Sequence, residues 1–264
     1  MKRKRRKLTA PPNGVVLWSG PSLIDGRRII VLATFKSANE KTGPMIQTWI
    51  LRTDRSPMAA LATGADYSIC GHCPHRGLGN GHGRTCYVNV GQAPEGIWHA
   101  WKRGIYPRFA TSRHAHLFAG RFLRMGAYGD PAAAPFEVWQ RVAALVSGWT
   151  GYTHQWRTTD ARFAGLLMAS CDSVGDRDEA KAQGWRTFRV KPAGLRHWPA
   201  GEIVCPASEE AGKRLQCIDC RACSGTRLGK LGAFAPDVVI DVHGSPVALR
   251  NYKRVALTIG ASGR

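Results

Sequence analysis

The sequence predicts an α/β protein: a partial or full (β/α) barrel with an N-terminal β-hairpin and a C-terminal cysteine-rich, metal-binding segment. Three observations carry this expectation. From Arg121 onward short apolar runs alternate with helical patterns, the mark of parallel βα units. Two β-branched runs stand ahead of them, separated by a polar turn. The eight cysteines fall mostly in two groups, in which C-x-x-C spacing occurs three times. An open doubly wound sheet satisfies the same alternation and stands as the alternative architecture. The chain divides into a basic, disordered tail over 1–13, a barrel-like domain with the first cysteine group over 14–200, and a second cysteine segment with a closing strand over 201–264.

Taken in order, "RRIIVLATF" (Arg27–Phe35) and "MIQTWILRT" (Met45–Thr53) read as partly alternating strands joined by "KSANEKTG", hence a hairpin. "APEGIWHAWKRG" (Ala93–Gly104) predicts a helix with Ile97, Trp98 and Trp101 on one side and Gly104 as its stop. "RFLRMGAYGD" (Arg121–Asp130) is an apolar run ending in a glycine-rich loop, and "PAAAPFEVWQRVAALV" (Pro131–Val146) predicts a helix with Pro131 in its first turn. Strands are expected at Gly151–Trp156, Ala164–Ser173, Trp185–Val190, Gly201–Ser208 and Asp237–Gly244, with a helix over "DRDEAKAQG" that stops at Gly184. In "RTFRV" the alternation predicts Thr187 and Arg189 inside the barrel, with Phe188 and Val190 toward the helices. An inward arginine suits a carboxylate or phosphate, or an internal ion pair with a residue such as Asp172. For "YTHQW" the period leaves open whether Tyr152, His154 and Trp156 or Thr153 and Gln155 face in.

Composition bounds the function. At 264 residues and 44% hydrophobic content a sizeable core is expected and global disorder is excluded. No run approaches the roughly 18 apolar residues of a membrane span, and the basic start "MKRKRRKLTAPPNG" lacks the apolar stretch of a secretory signal. A cytoplasmic protein without a membrane partner is the expectation. In a reducing compartment cysteines serve as ligands or reactive thiols more often than as disulfides. The formal net charge of +20, six units of it in Lys2–Lys7, points to a polyanionic partner, nucleic acid foremost. The tail is similar to a nuclear-localisation signal and equally suits a nucleic-acid-binding arm or a solubilising segment. "WHAWKRGIYPR" interleaves aromatic residues with Lys102, Arg103 and Arg108. Exposed, it would stack bases; at helical spacing, Trp98 and Trp101 also suit a core.

The second cysteine group, Cys205, Cys217, Cys220 and Cys223, has four donors spaced C-x11-C-x2-C-x2-C. That set completes either an iron–sulfur cube or a zinc site, and its consecutive C-x2-C-x2-C is closer to the ferredoxin run than to zinc knuckles. The first group, Cys70, Cys73 and Cys86, has three. His72, His75 or His82 would close it as a Cys3His zinc site; left open, it would hold a cluster with one position for substrate or cosubstrate. Cys171 is the remaining thiol, another possible ligand by composition, and reads as a small core residue on a buried strand.

A three-cysteine loop preceding a helix, followed by βα units, resembles the radical SAM enzymes. The aromatic Tyr87 next to Cys86 and the loop "MGAYGDP" (Met125–Pro131) are similar to that family's motifs. The resemblance implies a partial barrel of six βα units and a catalytic iron–sulfur cluster on Cys70, Cys73 and Cys86. It also implies S-adenosylmethionine bound against Gly126, Gly129 and Asp130, and an auxiliary cluster on the second cysteine group. The spacing C-x2-C-x12-C differs from the family's common C-x3-C-x2-C, and Asp130 stands where the family has Glu. More narrowly, "KTGPMIQTWIL", "SICGHCPHR", "TCYVNVGQAP" and "YGDPAAAPFEVW" resemble a group of phage- and plasmid-borne cysteine-rich proteins, over residues from about 18 to 225. The alternative expectation is a non-enzymatic, zinc-stabilised nucleic-acid-binding protein.

Overall fold

The computed structural model describes residues 10–77, 83–226 and 236–252. The basic run Lys2–Lys7 and the candidate ligand His82 lie outside the described residues. Three antiparallel strands open the chain: β1 (Gly14–Pro21), β2 (Arg28–Thr34) and β3 (Ile46–Arg52). The expected hairpin is therefore β2–β3, and β1 adds an outer strand. β3 is buried along its whole length, which is why its alternation is blurred by apolar residues on both faces.

From β3 the sheet turns parallel. β4 (Phe122–Tyr128), β5 (Gly148–Thr153), β6 (Met168–Cys171) and β7 (Thr187–Lys191) add in sequence. β8 (Glu202–Val204) takes the far edge, with β9 (Asp237–Asp241) inserted beside β7, so the order is β1-β2-β3-β4-β5-β6-β7-β9-β8. The order runs from β3 to β7 without the reversal that defines a doubly wound sheet. With right-handed crossovers, an unreversed order sends every connection over the same face. The opposite face is left to line a cavity. Among the described residues no pairing joins β8 to β1, so the hydrogen-bonded ladder is open rather than fully closed.

The connections form α1 (Pro57–Thr63), α2 (Tyr67–Cys70), α3 (Ala93–Lys102), α4 (Thr111–His114), α5 (Phe136–Ala143), α6 (Val174–Ala182) and α7 (Cys217–Cys220). α6 starts in a capping box between Ser173 and Asp176 and ends before Gly184, at φ 82°. α5 is shorter than the helix expected over 131–146. Pro131–Ala133 make a 3-10 turn, and the α-helix begins only after Pro135. Proline disfavours helical geometry in the residue before it, and Ala134 is extended accordingly. Trp98 and Trp101 of α3 pack against the core, and Trp98 Nε1 donates to Arg52 O at 2.8 Å. Lys102, Arg103 and Arg108 stay exposed around them.

The expected inward face of β7 is reversed. Phe188 and Val190 line the cavity, whereas Arg189 turns away and meets Glu202 through Nε at 2.8 Å and Nη2 at 2.5 Å. Arg177 of α6 approaches the same carboxylate at 3.5 Å, which places the pair under the helical layer. The apolar pattern of β7 reflects a cavity wall, and the charge of Arg189 is matched by Glu202 from β8, not by Asp172. Both side chains are almost wholly buried, at 3% and 0% exposure. Arg189→Met leaves Glu202 poorly compensated and should cost about 3–5 kcal/mol, read from the urea midpoint. Replacing both partners, Arg189→Met with Glu202→Met, should recover most of that loss.

Candidate metal centre

The first cysteine group grows out of the connection after β3, the first strand of the parallel series. α2 ends at Cys70, and Gly71 then turns at φ 55°, where an added Cβ would stand 2.4 Å from Gln155 Oε1. That close approach requires glycine. A one-turn 3-10 helix, Pro74–Arg76, follows Cys73. Further along, the N–H groups of Thr85 and Cys86 both donate to His75 O at 3.0 and 2.9 Å. These bonds bring the third cysteine back to the first two despite the twelve-residue gap.

The second group comes from the far end of the chain. Cys205 N donates to Val239 O, while Cys217 N donates to Lys41 O just ahead of β3. Cys223 O accepts from Gly151 N of β5, and Gly225 N donates to Leu166 O ahead of β6. The segment 205–225 is thus tied to backbone on both sides of the parallel series.

All seven of these cysteines line one cavity of about 440 Å³. Its walls come from alternate residues of successive strands, among them Arg124, Gly126 and Tyr128 of β4, Tyr152 of β5 with His154 beyond it, and Val238 and Ile240 of β9. Burial pushes the thiols of Cys70, Cys86, Cys205, Cys217 and Cys223 above their ordinary range. Within each group neighbouring thiolates add to the rise: Cys73 acts on Cys70 and Cys86, and Cys205 acts on Cys217 and Cys223. Arg84 opposes it at Cys86, and Arg124 and Lys41 at Cys217. No cysteine is in a disulfide. Desolvated, mutually repelling sulfur donors beside fixed cations favour a metal cation over free thiolates.

The fates of the remaining candidates differ. His72 is exposed and meets Tyr67 Oη at 3.1 Å, outside the cavity lining. His75 lines the cavity, but its Nδ1 lies 2.7 Å from Thr85 Oγ1 and its Nε2 2.7 Å from Asp172 Oδ1. Cys171 is fully buried away from the lining, its thiol donating to Ala169 O at 3.6 Å, as a core residue does. Among the described residues the non-local His154 approaches a cysteine sulfur, with Nε2 4.0 Å from Cys73 Sγ and 3.4 Å from Asp172 Oδ2. The donor atoms of His75, His154 and Asp172 lie within 4.8 Å of one another. The sequence offers His154 within the expected strand Gly151–Trp156, as a polar core histidine or a site residue, with its facing undecided.

Gly126, Gly129 and Asp130 also line the cavity, at the C-terminal end of β4. Gly126 and Gly129 have φ of 74° and 82°, and an added Cβ at Gly129 would meet Ile50 Cβ at 2.7 Å. The Asp130 carboxylate is already engaged. It accepts from Ala132 N at 2.9 Å, His154 N at 2.8 Å and Gln155 Nε2 at 3.4 Å, while Asp130 N donates to Ile69 O at 2.6 Å. Burial pushes its pKa up, and these hydrogen bonds pull the other way. Asp130 therefore holds the ends of β4 and β5 to the cysteine loop.

Compared with family models, with curated proteins and with solved structures, the chain matches none. Cys70→Ser and Cys217→Ser should each lower metal content by the share of their own group, while Cys171→Ala keeps the full content, as measured by elemental analysis. Because burial raises the thiols of Cys70, Cys86, Cys205, Cys217 and Cys223, a metal taken up by them should release protons into a weakly buffered solution. Apparent affinity should accordingly rise as pH rises.

Proposed function

We propose that the protein is a radical SAM-like iron–sulfur enzyme with two metal centres facing one cavity. The observation that carries this reading is the joint lining of that cavity by a three-thiol loop, by the glycine-rich end of β4 and by a separate four-thiol set. The unreversed strand order is that of a partial barrel and supports the same reading. The donor sets fit the groups. Cys205, Cys217, Cys220 and Cys223 match a four-thiolate cluster, and Cys70, Cys73 and Cys86 match a cluster with one iron left for a small molecule. The cavity of about 440 Å³ lies within the range of ligand pockets, roughly 300–1,000 Å³.

Cys70, Cys73 and Cys86 would hold the first cluster, which would supply an electron for reductive cleavage of S-adenosylmethionine. The chain's own residues arrange the setting. Gly126 and Gly129 leave backbone bare of side chains where a cosubstrate would lie, and Asp130 fixes that backbone rather than offering a free carboxylate. Phe188, Val190, Val238 and Ile240 make the opposite wall apolar and exclude water. Lys41, Arg84 and Arg124 offset thiolate charge.

A second reading has its own observation. Were His154 Nε2, 4.0 Å from Cys73 Sγ, to close on a metal, the first group would be a Cys3His zinc site and the protein a zinc-stabilised binding protein. Under either reading nucleic acid is the proposed partner, supported by the net charge of +20 and by the exposed Lys102, Arg103 and Arg108. Among the described residues no helix is long and apolar enough to cross a membrane.

Anaerobic expression with iron supplementation tests the choice. Brown protein with more than four irons per chain, forming 5′-deoxyadenosine from S-adenosylmethionine under reduction, is expected. Colourless protein holding only zinc would refute the enzyme reading. Nucleic-acid affinity should fall steeply with salt, because bound cations release condensed counterions, and Lys102→Glu with Arg103→Glu should flatten that slope. Salt-independent affinity would remove the polyanion argument.

A further inference from the structure

Beside the first cysteine group lies a side-chain circuit drawn from three parts of the fold. His154 follows β5, Asp172 follows β6, and His75 and Thr85 lie between Cys73 and Cys86 in sequence. His154 Nε2 stands 4.0 Å from Cys73 Sγ and 3.4 Å from Asp172 Oδ2. The other Asp172 oxygen is 2.7 Å from His75 Nε2, and His75 Nδ1 is 2.7 Å from Thr85 Oγ1, one residue before Cys86. The Asp172 side chain is 8% exposed and that of His75 is 11% exposed. The two imidazoles meet edge-on with centroids 5.6 Å apart, and Tyr252 stacks on the outer face of His75 at 6.2 Å.

A buried carboxylate between two imidazoles is an orienting device: it fixes which way each ring points and which nitrogen carries hydrogen. For His154 the carboxylate and the Cys73 sulfur both face Nε2, at 3.4 and 4.0 Å, so its one N–H is shared between Asp172 and a cysteine of the three-thiol group. A hydrogen bond to a metal-bound thiolate withdraws electron density from sulfur. It thereby stabilises the reduced, more negative state of an iron–sulfur centre.

We propose that His154 is a positioning residue that donates Nε2–H to Cys73 Sγ, held in place by Asp172, and that it raises the reduction potential of the metal centre on Cys70, Cys73 and Cys86. The proposal rests on the iron–sulfur reading of that group. Thr85 and the His75 carbonyl, which receives Cys86 N, link Cys86 to the same circuit, so two of the three ligands are braced by residues far away in sequence.

The test uses the full chain purified anaerobically with its iron. The first centre is identified as the paramagnetic signal that Cys70→Ala abolishes. At the wild-type midpoint potential, His154→Leu should lower the reduced-to-oxidised ratio of that centre about tenfold, the equivalent of about 59 mV for one electron. His154→Gln, which retains an N–H, should recover most of the ratio. An unchanged ratio in His154→Leu with its iron intact overturns the proposal. So does loss of the first centre in both His154 variants, which would make His154 a ligand instead. Wild-type protein without iron at the first group refutes the iron–sulfur reading itself. Cobalt(II)-loaded protein then decides the hydrogen bond: its thiolate-to-cobalt absorption should move to longer wavelength in His154→Leu, and an unmoved band overturns the proposal.

Discussion

The carboxylate of Asp130 is the contact on which the site depends. One side chain at the end of β4 takes the N–H groups of Ala132 and His154 and the amide of Gln155, while its own N–H reaches Ile69 in the cysteine loop. Gln155 in turn donates to Cys70 O and accepts from His72 N. Three segments, the loop after β3 and the ends of β4 and β5, are thereby locked at the mouth of one cavity. The same bond ends β5, because the N–H of His154 goes to Asp130 instead of to a neighbouring strand. A residue that reads as a cosubstrate contact in sequence is in structure the brace for two glycines and a histidine that face the cavity.

The second constraint is electrostatic. Of the seven thiols lining one cavity, Cys70, Cys86, Cys205, Cys217 and Cys223 are desolvated, so ionising them carries a cost that a bound cation would offset. The fold disperses part of that cost by placing Lys41, Arg84 and Arg124 among the sulfurs. Other charges are paired: Arg189 with Glu202 beneath the helices, and Arg76 with Asp66 at 2.6 Å in the cavity wall. The apolar half of the wall, from β7 and β9, keeps the dielectric low around whatever binds between the two cysteine groups.

Much of the architecture was legible in sequence because parallel βα units repeat a local rhythm. The hairpin of β2 and β3, the glycine-ended β4, the helix after Cys171 and the late β9 all follow from periodicity and breakers. Errors arose where a single residue overrode the rhythm. Pro135 delays α5, and Asp130 cuts β5 short. On β7 the apolar residues face a cavity rather than helices, since hydrophobicity alone does not say which buried face is which.

For the site, the sequence by itself determined the donors: three thiols and four, spaced so that each set forms from a tight turn, and a glycine-rich loop after the second parallel strand. Those are local properties of C-x-x-C and glycine. Only the tertiary structure decided that both sets line one cavity and that His154 rather than His72 or His75 approaches a cysteine sulfur. Strand order and facing set those outcomes. His154 lies 81 residues from Cys73, and only the pairing of β5 between β4 and β6 brings them together.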